Sequence, residues 1–163
     1  MNRYRNIEKK LHQFTRKFYT NELIKGGILF FSLGLLYFFF TLFLESFLWL
    51  KPAARTLLFW IFIMVETFLI VRFIVIPVFK LIGLRTGISL KESSKIIGNH
   101  FPAVADKLLN VLELKEHSNQ SDLILASIDQ KSQDLQPIPF VKAIDFKKNV
   151  RFLKYAIIPI LIG

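Results

Sequence analysis

Side chains able to do acid–base or metal chemistry are few in this sequence, and they lie far apart. The three histidines, His12, His100 and His117, belong to no metal-ligand motif such as HExxH. Cysteine is absent, which excludes disulfides, thiolate metal sites and cysteine nucleophiles. The glycines form no phosphate-binding loop. The sequence therefore predicts a protein that is not an enzyme, with no catalytic residue, no cofactor site and no metal site.

The informative ionisable residues are those that interrupt an apolar run. Glu66 lies ten residues into the run of residues 56–79, and Arg72 follows six residues later. A carboxylate near the middle of a membrane is costly, so Glu66 must be protonated, or be paired and face protein. Six residues turn a helix by about 600°, which leaves Arg72 about 120° away from Glu66. Arg72 is therefore no natural partner of Glu66, and its long side chain can extend to the membrane surface.

Small residues mark one face of the preceding apolar run. Gly27, Gly34 and Thr41 recur every seven residues, and Glu45 follows Thr41 by four. Such a stripe lets a second helix approach closely, so we predict that it faces protein. Two roles remain open for the intramembrane carboxylates: hydrogen bonding that holds helices together, or ion or proton coupling. Two helices with one acid at mid-depth make no recognisable proton pathway, which favours the first role for Glu66.

These residues are carried by two apolar runs that are long enough to span a membrane. Residues 26–44 form a charge-free run of 19, which extends about 28 Å as a helix. The second run, residues 56–79, follows after a short connection that contains Trp49 and Pro52. A cleaved signal peptide fits poorly, because the first run is too long and no small-residue cleavage site follows it. Spans joined by so short a link must be antiparallel neighbours.

The net charge of +10 is distributed around the apolar runs. Residues 1–25 carry seven basic and two acidic groups, residues 80–154 carry twelve and eight, and the connection carries only Lys51 and Arg55. The positive-inside rule then places both basic segments in the cytoplasm and the connection outside. Positive charge in these places indicates contact with anionic lipid headgroups. Nucleic acid is not predicted as a partner, since no motif that reads it is present.

Both cytoplasmic segments show helical spacing. In the N-terminal arm, Ile7, Leu11, Phe14 and Phe18 form one apolar stripe among basic residues. This stripe predicts either an amphipathic helix on the membrane surface or a helix that packs on the cytoplasmic segment. Residues 86–150 predict three short helices, whose apolar faces must cover one another, the membrane helices or a partner.

Local signals place the ends of these three helices. Ser89 and Glu92 form a capping box at the start of the first, and Gly98-Asn99 is a plausible stop for it. Pro102 fits the first turn of the second helix, and Ser121, at the end of the polar loop 117–121, caps the third. Pro137 and Pro139 end the third helix. The predicted buried positions are Val104, Leu108, Val111 and Leu112 in the second helix, and Ile124, Leu125, Ile128 and Leu135 in the third.

A third apolar run begins at Tyr155 and continues to Gly163. Nine residues are too few to span a membrane, yet the basic flank before them is typical of a helix that leaves the cytoplasm. We expect the sequence to be the front portion of a longer protein, cut inside a third span. The other interpretation is a C-terminus that lies on the membrane surface.

Together these features predict an all-α membrane protein with an antiparallel transmembrane helix hairpin, a small cytoplasmic helical unit and the start of a third transmembrane helix. The predicted divisions are a basic amphipathic arm at 1–22, transmembrane helices at 23–50 and 54–81, a cytoplasmic helical segment at 86–150, and the start of the third helix at 152–163.

Four stretches carry a resemblance: RKFYTNELIKG at 16–26, GISLKESSKIIGNHFPAVADKLLNVLELKE at 87–116, LILASIDQKSQDLQPIPF at 123–140 and DFKKNVRFLKYAIIPIL at 145–161. With them, the whole chain resembles the N-terminal region of a family of large multi-span membrane proteins of Bacteroidota. The resemblance implies three N-terminal spans followed by a long extracytoplasmic region. That family has no established activity, cofactor or catalytic residue, so the resemblance implies no site.

The expected function is that of a non-enzymatic anchor and scaffold module of a larger envelope protein in the bacterial inner membrane. Its expected partners are anionic lipids and either other membrane protein subunits or further copies of itself. The alternative is a subunit of an energised membrane complex that uses Glu66 or Glu45 for ion or proton coupling.

Overall fold

The computed structural model describes residues 2–84, 86–116 and 122–162, and all regular elements within these ranges are helical. The polar loop 117–121, with His117 and the proposed cap Ser121, lies outside the described residues. The α-helices, in chain order, are α1 (Asn2–Leu48), α2 (Pro52–Ile70), α3 (Ile76–Leu81), α4 (Leu90–His100), α5 (Ala105–Glu116), α6 (Asp122–Gln133) and α7 (Val150–Ile162). A π-helical segment, Val71–Val75, joins α2 to α3, and short 3₁₀ turns occupy Pro102–Val104, Phe140–Ala143 and Phe146–Asn149.

Two stretches are long and apolar enough to cross a membrane: Arg3–Leu48 in α1, and Pro52–Leu81 from α2 to α3. The predicted arm at 1–22 and the predicted span at 23–50 are thus parts of one helix. The helix α7 begins at Val150, two residues before the start predicted for a third span. By contacts between residues the chain divides into unit 1 (Met1–Phe18 and Thr86–Asp145) and unit 2 (Tyr19–Arg85 and Phe146–Gly163).

Unit 1 is built around an apolar core to which the start of α1 belongs. Ile7 and Phe14 of α1 are fully buried in this core, and Phe18 packs against it. Leu11 of α1 is also a buried member. The remaining members come from the helices α4 to α6 and the turns that follow them: Ile97, Val104, Leu108, Val111, Leu112, Ile128, Leu135, Phe140 and Ile144. Of the two interpretations of the N-terminal stripe, the structure therefore shows packing on the helices of residues 86–145, because the stripe is covered by protein.

Lysine side chains of α1 hold the proline-containing segment that follows α6. Lys10 Nζ donates to the carbonyl oxygens of Gln136 and Ile138, the latter at 3.2 Å, and Lys17 Nζ donates to Val141 O at 2.9 Å. Proline lacks an N–H group, so this segment cannot satisfy its carbonyl oxygens as a helix does. The lysines do so instead, which makes part of the basic arm a structural element of unit 1.

The first of the three helices predicted in residues 86–150, α4, starts as predicted but ends later. The capping box is present: Ser89 Oγ accepts from Glu92 N at 3.1 Å, and Ser89 N donates to Glu92 Oε2 at 3.0 Å. The stop predicted at Gly98-Asn99 is wrong, because α4 continues to His100. Gly98 has a packing role instead, since a Cβ there would lie 2.5 Å from the Cβ of Ala105. A glycine inside a helix allows such close contact with its neighbour.

In unit 2, a tight connection separates α1 from α2. Trp49 follows α1 with φ of +46°, the left-handed conformation that commonly ends a helix but is usually occupied by glycine. Pro52 then takes the first turn of α2, where its missing N–H costs nothing. At the other end, α3 stops at Leu81; Gly83, two residues later, has φ of +79°, and Leu84 N donates to Phe79 O at 2.9 Å. Both boundaries of this apolar stretch are thus set by local backbone chemistry.

The contribution of the Tyr4 phenol to the stability of unit 1 depends on pH. Burial, and next the Glu8 carboxylate, raise the pKa of Tyr4 above its ordinary value. The folded chain therefore favours the neutral phenol, and this contribution is full below about pH 10 and is lost as pH rises through the folded pKa. We expect Tyr4→Phe to weaken the loss of stability above pH 10, as measured by thermal unfolding followed by circular dichroism.

Absorbance at 295 nm checks the cause directly. The difference between the alkaline titrations of the unmodified chain and Tyr4→Phe isolates the Tyr4 phenol. Its midpoint is expected to lie above 10 in the folded chain and near 10 in guanidinium chloride. Equal midpoints in the two conditions would contradict the assignment.

Candidate functional site

The apolar part of α1 contacts the stretch from α2 to α3 through a series of residue pairs within unit 2. They include Gly26 with Phe73, Gly34 with Glu66, Tyr37 with Phe62 and Glu45 with Arg55. Along this contact the residue numbers of α1 increase while those of the stretch from α2 to α3 decrease. The Tyr37 and Phe62 rings are stacked, with centroids 5.8 Å apart and planes within 4°. Stacking of this kind adds about 0.5–1.5 kcal/mol beyond the area that it buries.

One face of α2 supplies three of these partners. Arg55, Phe62 and Glu66 are spaced by seven and four residues, which is α-helical spacing for a single face. Phe73 lies in the π-helical segment that follows and contributes its backbone carbonyl. Leu69, three residues after Glu66, shares this face and is the most deeply buried side chain of α2. Glu66 was predicted from the sequence to face protein, whereas the apolar positions beside it were not, although their spacing is helical.

Glu66 points at the backbone of α1 where Gly34 leaves room for it. A Cβ at Gly34 would lie 3.1 Å from Glu66 Oε2 and 3.2 Å from Oε1. Glu66 Oε1 is buried, and within the described chain it has no hydrogen-bond partner. Beside it is a cleft of about 230 Å³, lined by Phe30, Phe31, Gly34, Leu35, Phe38 and Phe62. A buried acceptor without a donor costs about 1–3 kcal/mol, so this oxygen can accept a hydrogen bond from a further group.

Glu45 is engaged differently. Its Oε1 pairs with Arg55 Nε at 2.9 Å, and both side chains are more than a third exposed. Thr41, one turn earlier, donates its hydroxyl to Tyr37 O at 2.9 Å within its own helix. Thr41, Glu45 and Arg55 line a second cleft, of about 270 Å³. The carboxylate predicted near the end of the first span therefore has a cation partner from the start of the next helix, a pairing that the sequence reasoning did not make.

Arg72 lies in the π-helical segment, is exposed, and makes no ion pair with Glu66 in the described structure. The segment has a local cause. In an α-helix the carbonyl of Phe73 would accept from residue 77, but Pro77 has no N–H to give. Ile76 N donates to Val71 O, five residues back, which closes the wider π turn. Such turns occur mostly as single insertions in α-helices and often at functional sites.

The Phe73 carbonyl also defines the closest contact between the two stretches. A Cβ at Gly26 would collide with Phe73 O, so only glycine fits at that position. Gly27 belongs to the small-residue stripe predicted from the sequence, but a Cβ there would meet no atom of another element within 4 Å in the described chain. The close approach therefore falls on Gly26 and Gly34, eight residues apart. Pro77 is the residue from which this contact could have been predicted, because proline there leaves the Phe73 carbonyl without its usual donor.

No group of three or more metal-ligating side chains occurs among the described residues. His100 ends α4 with its ring 4.7 Å from that of Phe101, and His12 lines a cleft of unit 1 with Tyr4 and Glu8. Comparison with protein families, curated proteins and solved structures gives no match.

The two adjacent glycines provide a matched test of the helix contact. We expect Gly26→Ala to destabilise unit 2 by about 1–3 kcal/mol, because the new methyl group meets a backbone oxygen that cannot move aside. Gly27→Ala should be neutral or stabilising by up to about 1 kcal/mol, because alanine favours the helix and nothing opposes it. Thermal unfolding in detergent, followed by circular dichroism, measures both. Equal effects of the two substitutions would contradict the contact.

Proposed function

We propose that this chain is a non-enzymatic anchor and interaction module of a bacterial inner membrane. In this proposal residues 26–44 of α1 and the stretch from α2 to α3 form an antiparallel transmembrane hairpin. The N-terminus and unit 1 lie in the cytoplasm, and the connection around Trp49 and Lys51 faces outward. The partners are anionic lipids and other membrane protein subunits or further copies of the chain.

The observation that carries the proposal is the exposure of apolar surface on both long helices. Of their most apolar 18-residue stretches, only 11% and 6% is buried in the chain. A core helix of a water-soluble protein is covered by its neighbours, whereas these helices present Phe31, Trp60 and Phe68 with about two thirds of each side chain exposed. Apolar surface of this extent needs lipid or a partner to cover it.

The charges support the orientation. The connection contributes Lys51 and Arg55, and Arg55 is paired with Glu45. Lys25 precedes the first apolar stretch and Lys80 follows the second, and the chain beyond each of them is strongly basic. An excess of lysine and arginine close to the ends of spans marks the cytoplasmic side.

The Glu66 carboxylate supports an interaction role. Its buried oxygen accepts no hydrogen bond in the described chain, and the cleft beside it is open. A polar side chain of a neighbouring helix can donate there, and such bonds contribute about 0.6–2 kcal/mol to helix association in membranes. Association through this face gives the anchor a function beyond holding the chain in the bilayer.

Single cysteines test the topology, since the chain has none of its own. We expect Lys51→Cys to react with a membrane-impermeant maleimide in intact spheroplasts, because it faces outward. Lys91→Cys, at an equally exposed lysine of unit 1, should react only after lysis. Mass spectrometry of the chain measures the labelling. Reaction of both cysteines before lysis, or recovery of the chain in the soluble fraction, would contradict the proposal.

A second candidate is a subunit of an energised membrane complex in which Glu66 or Glu45 couples to ion or proton movement. The unpartnered Glu66 oxygen favours it, because a coupling carboxylate must exchange its proton and so cannot be permanently paired. Glu45 is the weaker choice of the two, since Arg55 already pairs with it.

Glu66 substitutions distinguish the two candidates. We expect Glu66→Leu to weaken association in detergent by about threefold to thirtyfold, as measured by sedimentation, while Glu66→Gln retains it because an amide can still hydrogen-bond. Proteoliposomes should show no potential-driven proton uptake above empty liposomes. Proton uptake that is lost in Glu66→Gln but kept in the matched variant Glu45→Gln would instead establish the second candidate.

A further inference from the structure

A polar contact within unit 2 fixes the start of α7 against α1. Asn149 Nδ2 donates to Asn21 Oδ1 at 2.8 Å, and the Asn149 side chain is almost fully buried. The buried Asn149 amide must keep this hydrogen bond, because it has lost its water on packing. The residues one turn further along each helix are therefore held in place beside each other.

One turn further along, two cations share one aromatic ring. Lys25 Nζ lies 5.4 Å from the centroid of Phe152, and Arg151 Cζ lies 4.9 Å from it. The two cationic groups are consequently no more than about 10 Å apart. Glu22 lies 3.7 Å from Lys25. The flanking basic residues Lys147, Lys148 and Lys154 add further positive charge, and no other carboxylate occurs between positions 146 and 162 or between 19 and 44.

Beyond these cations, the same two helices form an apolar groove. Leu36, Phe39, Phe40 and Phe43 of α1 and the fully buried Pro159 of α7 line a cleft of about 320 Å³. Leu36 is eleven residues after Lys25, which places it on the same helix face and about 16 Å along the axis. Pro159 is seven residues after Phe152, again on one face and about 10 Å along. Among the described residues, no polar side chain contributes to the lining of this groove.

We propose that α1 and α7 form a binding site for one anionic phospholipid. Lys25 and Arg151 hold the headgroup phosphate, and one acyl chain follows the helices into the groove of Phe39, Phe40 and Pro159. Cations at one end and an apolar groove about 10–16 Å away match the charge and the reach of a diacyl phospholipid. The inference rests on the proposed membrane location of unit 2, and it adds a defined lipid to it. A soluble phosphate fits only the cationic half of the site.

Native mass spectrometry of the full chain tests the site. The chain is incubated in detergent with equal amounts of phosphatidylglycerol and phosphatidylcholine that carry the same acyl chains. We expect one phosphatidylglycerol to be retained in preference to phosphatidylcholine. The double variant K25Q/R151Q should lose about thirtyfold in affinity for phosphatidylglycerol, because each basic residue near a headgroup contributes about fivefold.

Three further variants separate this site from general attraction to charge. K91Q/K95Q removes the same charge from exposed lysines of unit 1 and should bind as the unmodified chain does. K25R/R151K keeps the charges and should retain binding, which controls for folding. Phe40→Ala should weaken binding of both lipids, because it opens the groove. Equal losses in K91Q/K95Q and K25Q/R151Q would overturn the site.

Two other results would also overturn the inference. Retained preference in K25Q/R151Q would show that these cations do not hold the headgroup. The second result is displacement of the lipid from the unmodified chain by glycerol 3-phosphate, at concentrations that displace none from K25Q/R151Q. That result would show a site for free phosphate. Carbonate extraction of the same membranes keeps the proposals distinct: a chain that resists extraction but shows no preference for phosphatidylglycerol refutes the site alone, whereas an extracted chain refutes the anchor.

Discussion

The arrangement of unit 2 depends on how closely the backbone of α1 can approach the second apolar stretch. At Gly26 and Gly34 no side chain separates them, and the partners at these two points are a backbone carbonyl and a carboxylate. Close approach adds dispersion contacts between the two backbones, so the absence of side chains at these positions stabilises the pair. The stacked rings of Tyr37 and Phe62, the ion pair of Glu45 and Arg55 and the cleft beside Glu66 all lie along this contact.

Local signals in the sequence predicted much of unit 1. The capping box at Ser89 and the stripe from Val104 to Leu112 depend on neighbouring residues in the chain, and both are confirmed. The stop at Gly98 failed because a helix-interior glycine and a terminal glycine look alike until the neighbour, Ala105, is known. The stripe of Ile7 and Phe14 showed that one face is buried, but periodicity does not say what covers it.

The candidate site was predictable only in part, for a related reason. Glu66 and Gly34 were identified from the cost of a mid-depth carboxylate and from small-residue spacing, and the structure places them in contact. Gly26 was missed because its importance arises on the other helix, where Pro77 changes the backbone. The basic arm shows the same limit. Its lysines were interpreted through net charge, whereas Lys10 and Lys17 also donate to carbonyl oxygens of a segment more than a hundred residues away.

The π turn at Val71–Val75 has a geometric consequence for everything that follows it. A π turn holds more residues than an α turn, so the helix leaves it with a changed rotational phase, as if a residue had been inserted. The rotational phase of the side chains after the turn is therefore offset from that of the side chains before it, although the helix continues. Lys80, whose Nζ lies 6.0 Å from the Tyr19 ring centroid, lies after the turn and so has the offset phase. The contact that α1 makes with Glu66 lies before the turn and its contact with Lys80 lies after it, so the π turn sets the rotation between these two contacts.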